Sequence, residues 1–196
     1  MAATLERRDT MAKLLAARGD ALVVTGLGST TYDAFATRDS PLTFYLWGAM
    51  GAAAMIGLGL ANAQPQRRVL VITGDGEMLM GLGSLAAIGA ERTANLSIVV
   101  IDNEHYAETG MQASHTARGV DLAGVARAAG FSHASTVRTA DELEALIPSL
   151  YSTPGPVLAA IKVVAEPAAI ALPPRDGAYL RSRFRSALLG EARAAE

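Results

Sequence analysis

The chemistry of this sequence turns on Asp75 and Asn103. Asp75 lies in "VITGDGEMLMGLG" (71–83), flanked by Gly74 and Gly76, at the end of an apolar run. A glycine-rich turn after such a run normally cradles an anion with backbone N–H groups. An acid at its centre, with Glu77 two positions on, contradicts that use unless a cation lies between. Hard cations such as Mg²⁺ take a few protein oxygens and complete their octahedron with phosphate oxygens. Asp75 then reads as a metal ligand. Asn103, in "IDNEHY" twenty-eight positions later, offers a second through its side-chain oxygen, and the carbonyl of His105 a third. Glu108, Gln112 and His115 follow in a polar stretch where substrate groups would approach; each reads either as a substrate contact or as a solvated loop residue. Glu77 likewise reads either as part of the site or as a solvated, helix-starting carboxylate.

Two ligands so far apart meet only if the strands that carry them end side by side. Apolar positions at 5, 11, 14 and 15 among charges predict an amphipathic helix over 5–17, closed by Gly19. "ALVVTG" (21–26), "LTFYL" (42–46), "RRVLVITG" (67–74), "LSIVVID" (96–102), "ASTVR" (134–138) and "GPVLAAIKVV" (155–164) read as strands. Between them the pattern predicts helices over 30–37, 49–63, 78–90, 121–129 and 140–151, the last capped by Thr139, with a polar loop over 104–118. A Pro-containing segment (166–177) leads to a terminal helix containing "YLRSRFRSALL". This alternation predicts an α/β fold, a doubly wound parallel sheet of about six strands with helices on both faces. One domain is expected over 1–196, ending in a helical tail. Ligands of such sheets bind beyond the strand carboxyl ends, which puts 26–31, 74–77 and 102–110 at the site.

Composition narrows the function. At 196 residues and 51% hydrophobic content the chain can bury one sizeable core. A formal net charge of −2 exerts no pull toward nucleic acid or anionic membrane. With no cysteine, thiolate nucleophiles, disulfides, zinc–thiolate sites and iron–sulfur clusters are all excluded. The N-terminus mixes charges through its apolar positions and lacks a leader's continuous apolar core; a cytoplasmic protein is expected. No charged residue occurs between Asp39 and Arg67. Gly48, Gly51, Gly57, Gly59 and Asn62 there suit packing on protein better than lipid, so a buried helix at a subunit contact is expected. His133 reads as structural, and Arg181, Arg183 and Arg185 as a solvated helix face.

"GDGE" followed one βα unit later by "DN" resembles the thiamin-diphosphate signature, GDG followed at that distance by NN, with Asp102 where the family often has Asn. "FYLWGAMGAAAMIGLGLA", "GDGEMLMGLGSLAAIGA" and "NLSIVVIDNEHYAETGMQ" are similar, in order, to the diphosphate-binding half of sulfopyruvate and phosphonopyruvate decarboxylases, above all to their small β-type chains. The resemblance implies thiamin diphosphate held through Mg²⁺. It implies that the Gly48 carbonyl accepts a hydrogen bond from the aminopyrimidine, and that Met50, otherwise a core residue, supports the cofactor's bent shape. Gly28, Ser29, Gly74 and the backbone of Gly76 and Glu77 would line the diphosphate, and Tyr106 would pack on the cofactor. Thr109, Gly110 and Gln112 match the family's loop; "ASHT" (113–116) departs from its Pro-containing continuation. The activating glutamate belongs to a pyrimidine-binding domain for which 196 residues leave no room, so an α-type partner subunit is expected, together with self-association. The implied reaction is decarboxylation of a small 2-oxo acid with a sulfonate or phosphonate tail. A carboligase subunit of the acetolactate synthase type and a non-catalytic thiamin-diphosphate-binding module are the alternatives.

Overall fold

The computed structural model describes residues 5–166 and 168–194. Residues 1–4, where the leader reading starts, Pro167 of the Pro-containing segment, and residues 195–196 of the tail lie outside the described residues. In chain order the main elements are α1 (Arg7–Ala16), β1 (Leu22–Thr25), α2 (Ser29–Arg38), β2 (Thr43–Tyr45), α3 (Ala53–Ala63) and β3 (Val69–Gly74). They continue with α4 (Asp75–Met80), α5 (Ser84–Glu91), β4 (Leu96–Asp102), a hairpin of β5 (His105–Tyr106) and β6 (Gln112–Ala113), and α6 (Leu122–Ala128). The remainder is β7 (His133–Val137), α7 (Ala140–Ser152), β8 (Val157–Lys162) and α8 (Gly177–Leu189), with a short α9 (Glu191–Ala194).

Six strands form one parallel sheet in the order β2-β1-β3-β4-β8-β7, as the alternation predicts. Its inner strands are buried on both faces, and their period of two divides them between two cores. Val69, Val71, Ile98 and Val100 face α3, α5 and α6. Leu70, Ile72, Val99 and Ile101 face α1, α2 and α7, whose Leu14, Leu15 and Leu143 pack there. The chain leaves β1 toward one face and β3 toward the other, so a crevice opens between their carboxyl ends. Thr139 and Glu142 start α7 with a reciprocal capping box. At the sheet edge Phe184 of α8 meets Phe44 at 5.6 Å between ring centroids.

Three expectations are corrected. The glycine/alanine helix begins at Ala53, not at 49, so Met50 lies in the preceding turn. On that helix Ala53, Ala54, Gly57 and Ala61 are buried against the sheet, while Met55, Gly59 and Asn62 face outward. The helix expected over 78–90 breaks at 81–83, because Gly81 takes the Gly51 backbone at a distance no side chain would allow. The polar loop over 104–118 contains the β5–β6 hairpin, with His105 opposite Ala113 and Tyr106 opposite Gln112; two-residue strands carry no periodic signal. In addition, Arg183 is not simply solvated, since it pairs with Asp39 at 2.8 Å. No helix among the described residues is long and apolar enough to cross a membrane.

A Cβ at Gly57 would collide with Cγ2 of Val71, a branched core side chain in a central strand. Gly57→Ala gains about 1 kcal/mol of helix propensity but overpacks a rigid contact at a cost of about 1–3 kcal/mol. A net loss of about 1 kcal/mol is expected, read as a lower urea midpoint at constant m. A midpoint at or above wild type would mean that Val71 yields without cost.

Candidate cofactor site

A cavity of about 170 Å³ lies at the carboxyl ends of β1, β3 and β4. It brings together Ser29, Met50, Gly74, Asp75, Gly76, Glu77, Asn103, His105, Tyr106 and Glu108 from the residues singled out in the sequence. Gly28 borders it, under Glu108, whose Cγ and Oε1 would lie 3.0 Å from any Cβ placed there. Gly48 precedes Met50 by two residues in the same turn but does not line the cavity. Gln112 and His115 are exposed and are not brought to it; Gln112 instead bonds to Thr109 across the hairpin turn, donating to the Thr109 carbonyl at 2.8 Å.

Asp75 opens α4 directly after β3, and its side chain reaches β4's end because β3 and β4 pair in register up to Gly74 and Ile101. The carboxylate is 2% exposed. Ser114 Oγ donates to Oδ2 at 2.5 Å and Thr116 Oγ1 lies 3.3 Å from the same oxygen; no side chain among the described residues donates to Oδ1. Burial pushes the Asp75 carboxyl up to about 6; the Ser114 bond opposes this and the Asp102 charge adds to it. No lysine or arginine pairs with Asp75 among the described residues. A buried acid in this condition is one that a cation would satisfy. Asn103 accepts from the His105 N–H at 3.0 Å in an Asx turn, and its carbonyl meets His105 Nδ1 at 2.8 Å. Among the described residues no three His, Cys, Asp or Glu side chains gather to make a metal cage. A cation here must draw on Asp75, an amide oxygen, a backbone carbonyl and the ligand's own oxygens, a donor set suited to Mg²⁺.

Glu77 is 4% exposed, which excludes the solvated reading. It accepts from Thr73 Oγ1 at 2.8 Å. Burial raises its pKa, opposed by the Thr73 bond and by the amides of Gly51, Ala53 and Leu27, although no donor reaches bonding geometry at Oε1. Glu77 thereby joins the turn that carries Asp75 to the turn that carries Met50. That turn is held open by left-handed backbone at Ala49 (φ 57°) and Gly51 (φ 95°). Met50 is 39% exposed at the cavity, and the Tyr106 ring covers Gly76 where a side chain would collide with it.

Residues that the sequence reading passed over also matter. Ser114 and Thr116 belong to the "ASHT" departure. Thr116 Oγ1 gives its one proton to Asp102 Oδ1 at 2.8 Å, closer than Asp75 at 3.3 Å, and Lys162 pairs with Asp102 Oδ2 at 2.8 Å. An acid at 102 in place of the family's usual Asn was the available signal, because a buried acid requires a cation nearby. Arg7 lines the cavity too; it carried no signal beyond a helix charge.

A switch-point crevice with glycine turns and a buried acid defines the class, a doubly wound α/β domain of the cofactor-binding kind. Residues 26–161 match the family model "Thiamine pyrophosphate enzyme, C-terminal TPP binding domain", and the chain belongs to this enzyme family. It is 41% identical over 159 residues to sulfopyruvate decarboxylase subunit beta of Methanothermobacter thermautotrophicus, covering 81% of this chain and 82% of that one. It is 40% identical over 139 residues to phosphonopyruvate decarboxylase of Streptomyces viridochromogenes, covering 71% of this chain but only 34% of the relative's length. The thiamine diphosphate-dependent 4-hydroxybenzoylformate decarboxylase of Rhodococcus jostii RHA1 shares the fold, with a TM-score of 0.73 at 19% identity over 86% of this chain and 34% of that one.

Proposed function

We propose that this chain is the thiamin-diphosphate- and Mg²⁺-binding subunit of a decarboxylase acting on a 2-oxo acid with a sulfonate or phosphonate tail. A separate pyrimidine-binding subunit supplies the activating glutamate. One observation carries the reading: Asp75, buried without a basic partner among the described residues, shares a cavity with Asn103 across the paired ends of β3 and β4. The relative from Methanothermobacter, matched over most of its length, is named a β subunit, which supports a partner chain. Residues 1–196 are taken as one such domain with α8 as its tail, placed in the cytoplasm in keeping with a chain without cysteine.

Bound thiamin diphosphate supplies the electron sink on which a 2-oxo acid loses CO₂. The chain's own part is binding and orientation. Asp75, Asn103 and the His105 carbonyl would hold Mg²⁺; Gly28, Ser29, Gly74 and the backbone of Gly76 and Glu77 would receive the diphosphate. The Gly48 carbonyl would accept from the aminopyrimidine, Met50 would support its bent shape, and Tyr106 would close the turn at Gly76. Substrate contact is assigned to Glu108, which lines the cavity, in preference to Gln112 and His115, which do not. The test is CO₂ release from 3-sulfopyruvate and phosphonopyruvate by the chain assembled with its partner, with sedimentation reporting self-association. Turnover that requires both Mg²⁺ and thiamin diphosphate is expected. Absence of turnover on either acid by a cofactor-loaded complex would sink the decarboxylase reading.

Met50→Ala is expected to keep most cofactor affinity and to lower turnover about tenfold, since it removes bulk that orients the reacting groups but no charge. Met50→Leu, close in volume, should remain near wild type. Comparing cofactor Kd with kcat checks this; an alanine variant at the wild-type rate would make Met50 a packing residue.

A further inference from the structure

We propose that Arg7 is a receptor for a tetrahedral oxyanion entering the cofactor cavity. The assignment rests on the proposed function for which molecule carries that anion, and on the chain's own residues for the receptor. Arg7 and Arg8 stand in the first turn of α1, where the helix dipole disfavours cations. Their partner is Asp33 of α2, which is fully buried. Arg7 Nε holds Asp33 Oδ2, while Arg8 holds Oδ1 through Nε at 3.1 Å and Nη2 at 2.9 Å. Two guanidinium groups on one carboxylate leave one positive charge over.

That surplus sits on Arg7. Arg8 donates Nη2 to the Ala169 carbonyl at 2.5 Å as well, and its side chain is 34% exposed to water. Arg7 is only 12% exposed, and beyond its Nε bond its terminal nitrogens donate to no acceptor among the described residues. The fold delivers it to the site. Leu5 bridges in parallel to Val163, and Val164 N–H donates to the Leu5 carbonyl at 3.0 Å, so α1 starts at the carboxyl edge of the sheet. Arg7 lines the cavity together with Asp75, Glu77 and Glu108 and is the one arginine or lysine to do so among the described residues. An anion brought among three carboxylates needs more positive charge than a single metal ion supplies. With Nε committed to Asp33, the Nη1/Nη2 edge of the guanidinium is the fork that matches phosphate, phosphonate or sulfonate oxygens.

That shared chemistry has two sources, the terminal phosphate of the cofactor and the acid tail of the substrate. Calorimetric titration of the full chain with inorganic diphosphate and with thiamin diphosphate, both in MgCl₂, is compared for wild type, Arg7→Gln, Arg7→Lys and Arg8→Gln; KM is then compared in the assembled enzyme. If Arg7 meets the cofactor's phosphate, Arg7→Gln raises Kd for both diphosphates about tenfold and Arg7→Lys recovers part of the loss. If it meets the substrate tail, both Kd values hold while KM for 3-sulfopyruvate rises about tenfold and KM for pyruvate, with its uncharged tail, does not. Should Arg7→Gln fail to fold, Arg7→Lys, which keeps a charge beside Asp33 without the fork, carries the same comparisons. Arg8→Gln removes the surplus charge shared on Asp33 but leaves the guanidinium fork that lines the cofactor cavity, so its Kd and KM should rise by about threefold, less than those of Arg7→Gln. Equal constants in every arm, or an Arg8→Gln loss matching that of Arg7→Gln, would overturn the assignment. Wild type that binds inorganic diphosphate through Arg7 but not thiamin diphosphate would instead sink the cofactor reading and leave the arginine site standing; wild type that binds neither overturns both.

Discussion

Asp75→Asn is expected to weaken thiamin diphosphate binding in Mg²⁺ about a hundredfold, roughly 3 kcal/mol, while leaving the cofactor-free chain as stable as wild type or more so. The two signs have one cause. Asp75 is 2% exposed, lacks a basic partner among the described residues, and is raised to about 6 by burial. Its charge costs the cofactor-free fold energy that only a cation returns. Asparagine removes the charge and still accepts from Ser114 through its amide oxygen, so that hydrogen bond survives. Asn103→Ala should weaken binding as well, by less, because an amide oxygen contributes no formal charge to the metal. Calorimetry of cofactor binding and thermal unfolding without cofactor separate the terms. Unchanged affinity in both variants would remove the metal-site proposal; a large loss of cofactor-free stability in Asp75→Asn would make Asp75 a structural residue.

The second large effect concerns the charges behind that site. Lys162 of β8 lies opposite Asp102 of β4 in register and holds Asp102 at 2.8 Å and Glu104 at 2.6 Å. Lys162→Met leaves Asp102, 2% exposed, with hydrogen bonds from Thr116 and the Glu104 N–H but without its lysine partner. Breaking a buried pair from one side costs about 3–5 kcal/mol. The lower end is expected, about 3 kcal/mol, because Glu104 is 40% exposed and Lys162 lines a cleft that admits water. Adding Asp102→Asn, the family's usual residue, should recover most of the loss, since removing both charges costs far less than removing one. The pH dependence has a defined sign. Burial alone would lower the Lys162 pKa, but the bonds to Asp102 and Glu104 and their charges outweigh it and the net direction is upward. The pair's contribution is therefore complete below the unfolded lysine value of about 10.4 and lost as pH rises through the higher folded value. Chemical denaturation from pH 7 to 11 should show an alkaline loss in wild type that Lys162→Met lacks. A double variant no more stable than Lys162→Met would refute the pairing.

Much of this architecture is written locally in the chain. Branched apolar runs such as "VLVIT" and "LSIVVI" form strands buried on both sides, and α7 carries its own cap in Thr139 and Glu142. The glycines around Asp75 turn the backbone at a strand end, and the spacing to Asn103 matches one helix and one strand. Sequence alone therefore determined the sheet and the meeting of Asp75 with Asn103 in a cavity at its carboxyl edge, because each depends on backbone period and chain length between neighbours. Tertiary structure alone decided what surrounds that pair. Ser114, Thr116, Gln112 and His115 are equally polar in one short stretch, yet the hairpin buries the first two beneath Asp75 and leaves the others exposed. Arg7 and Asp33, like Asp102 and Lys162, meet only after strands and helices pack, and a charge in a sequence carries no mark of whether water or a carboxylate will hold it. Desolvation and charge pairing belong to the assembled fold, whereas turn and period belong to the chain.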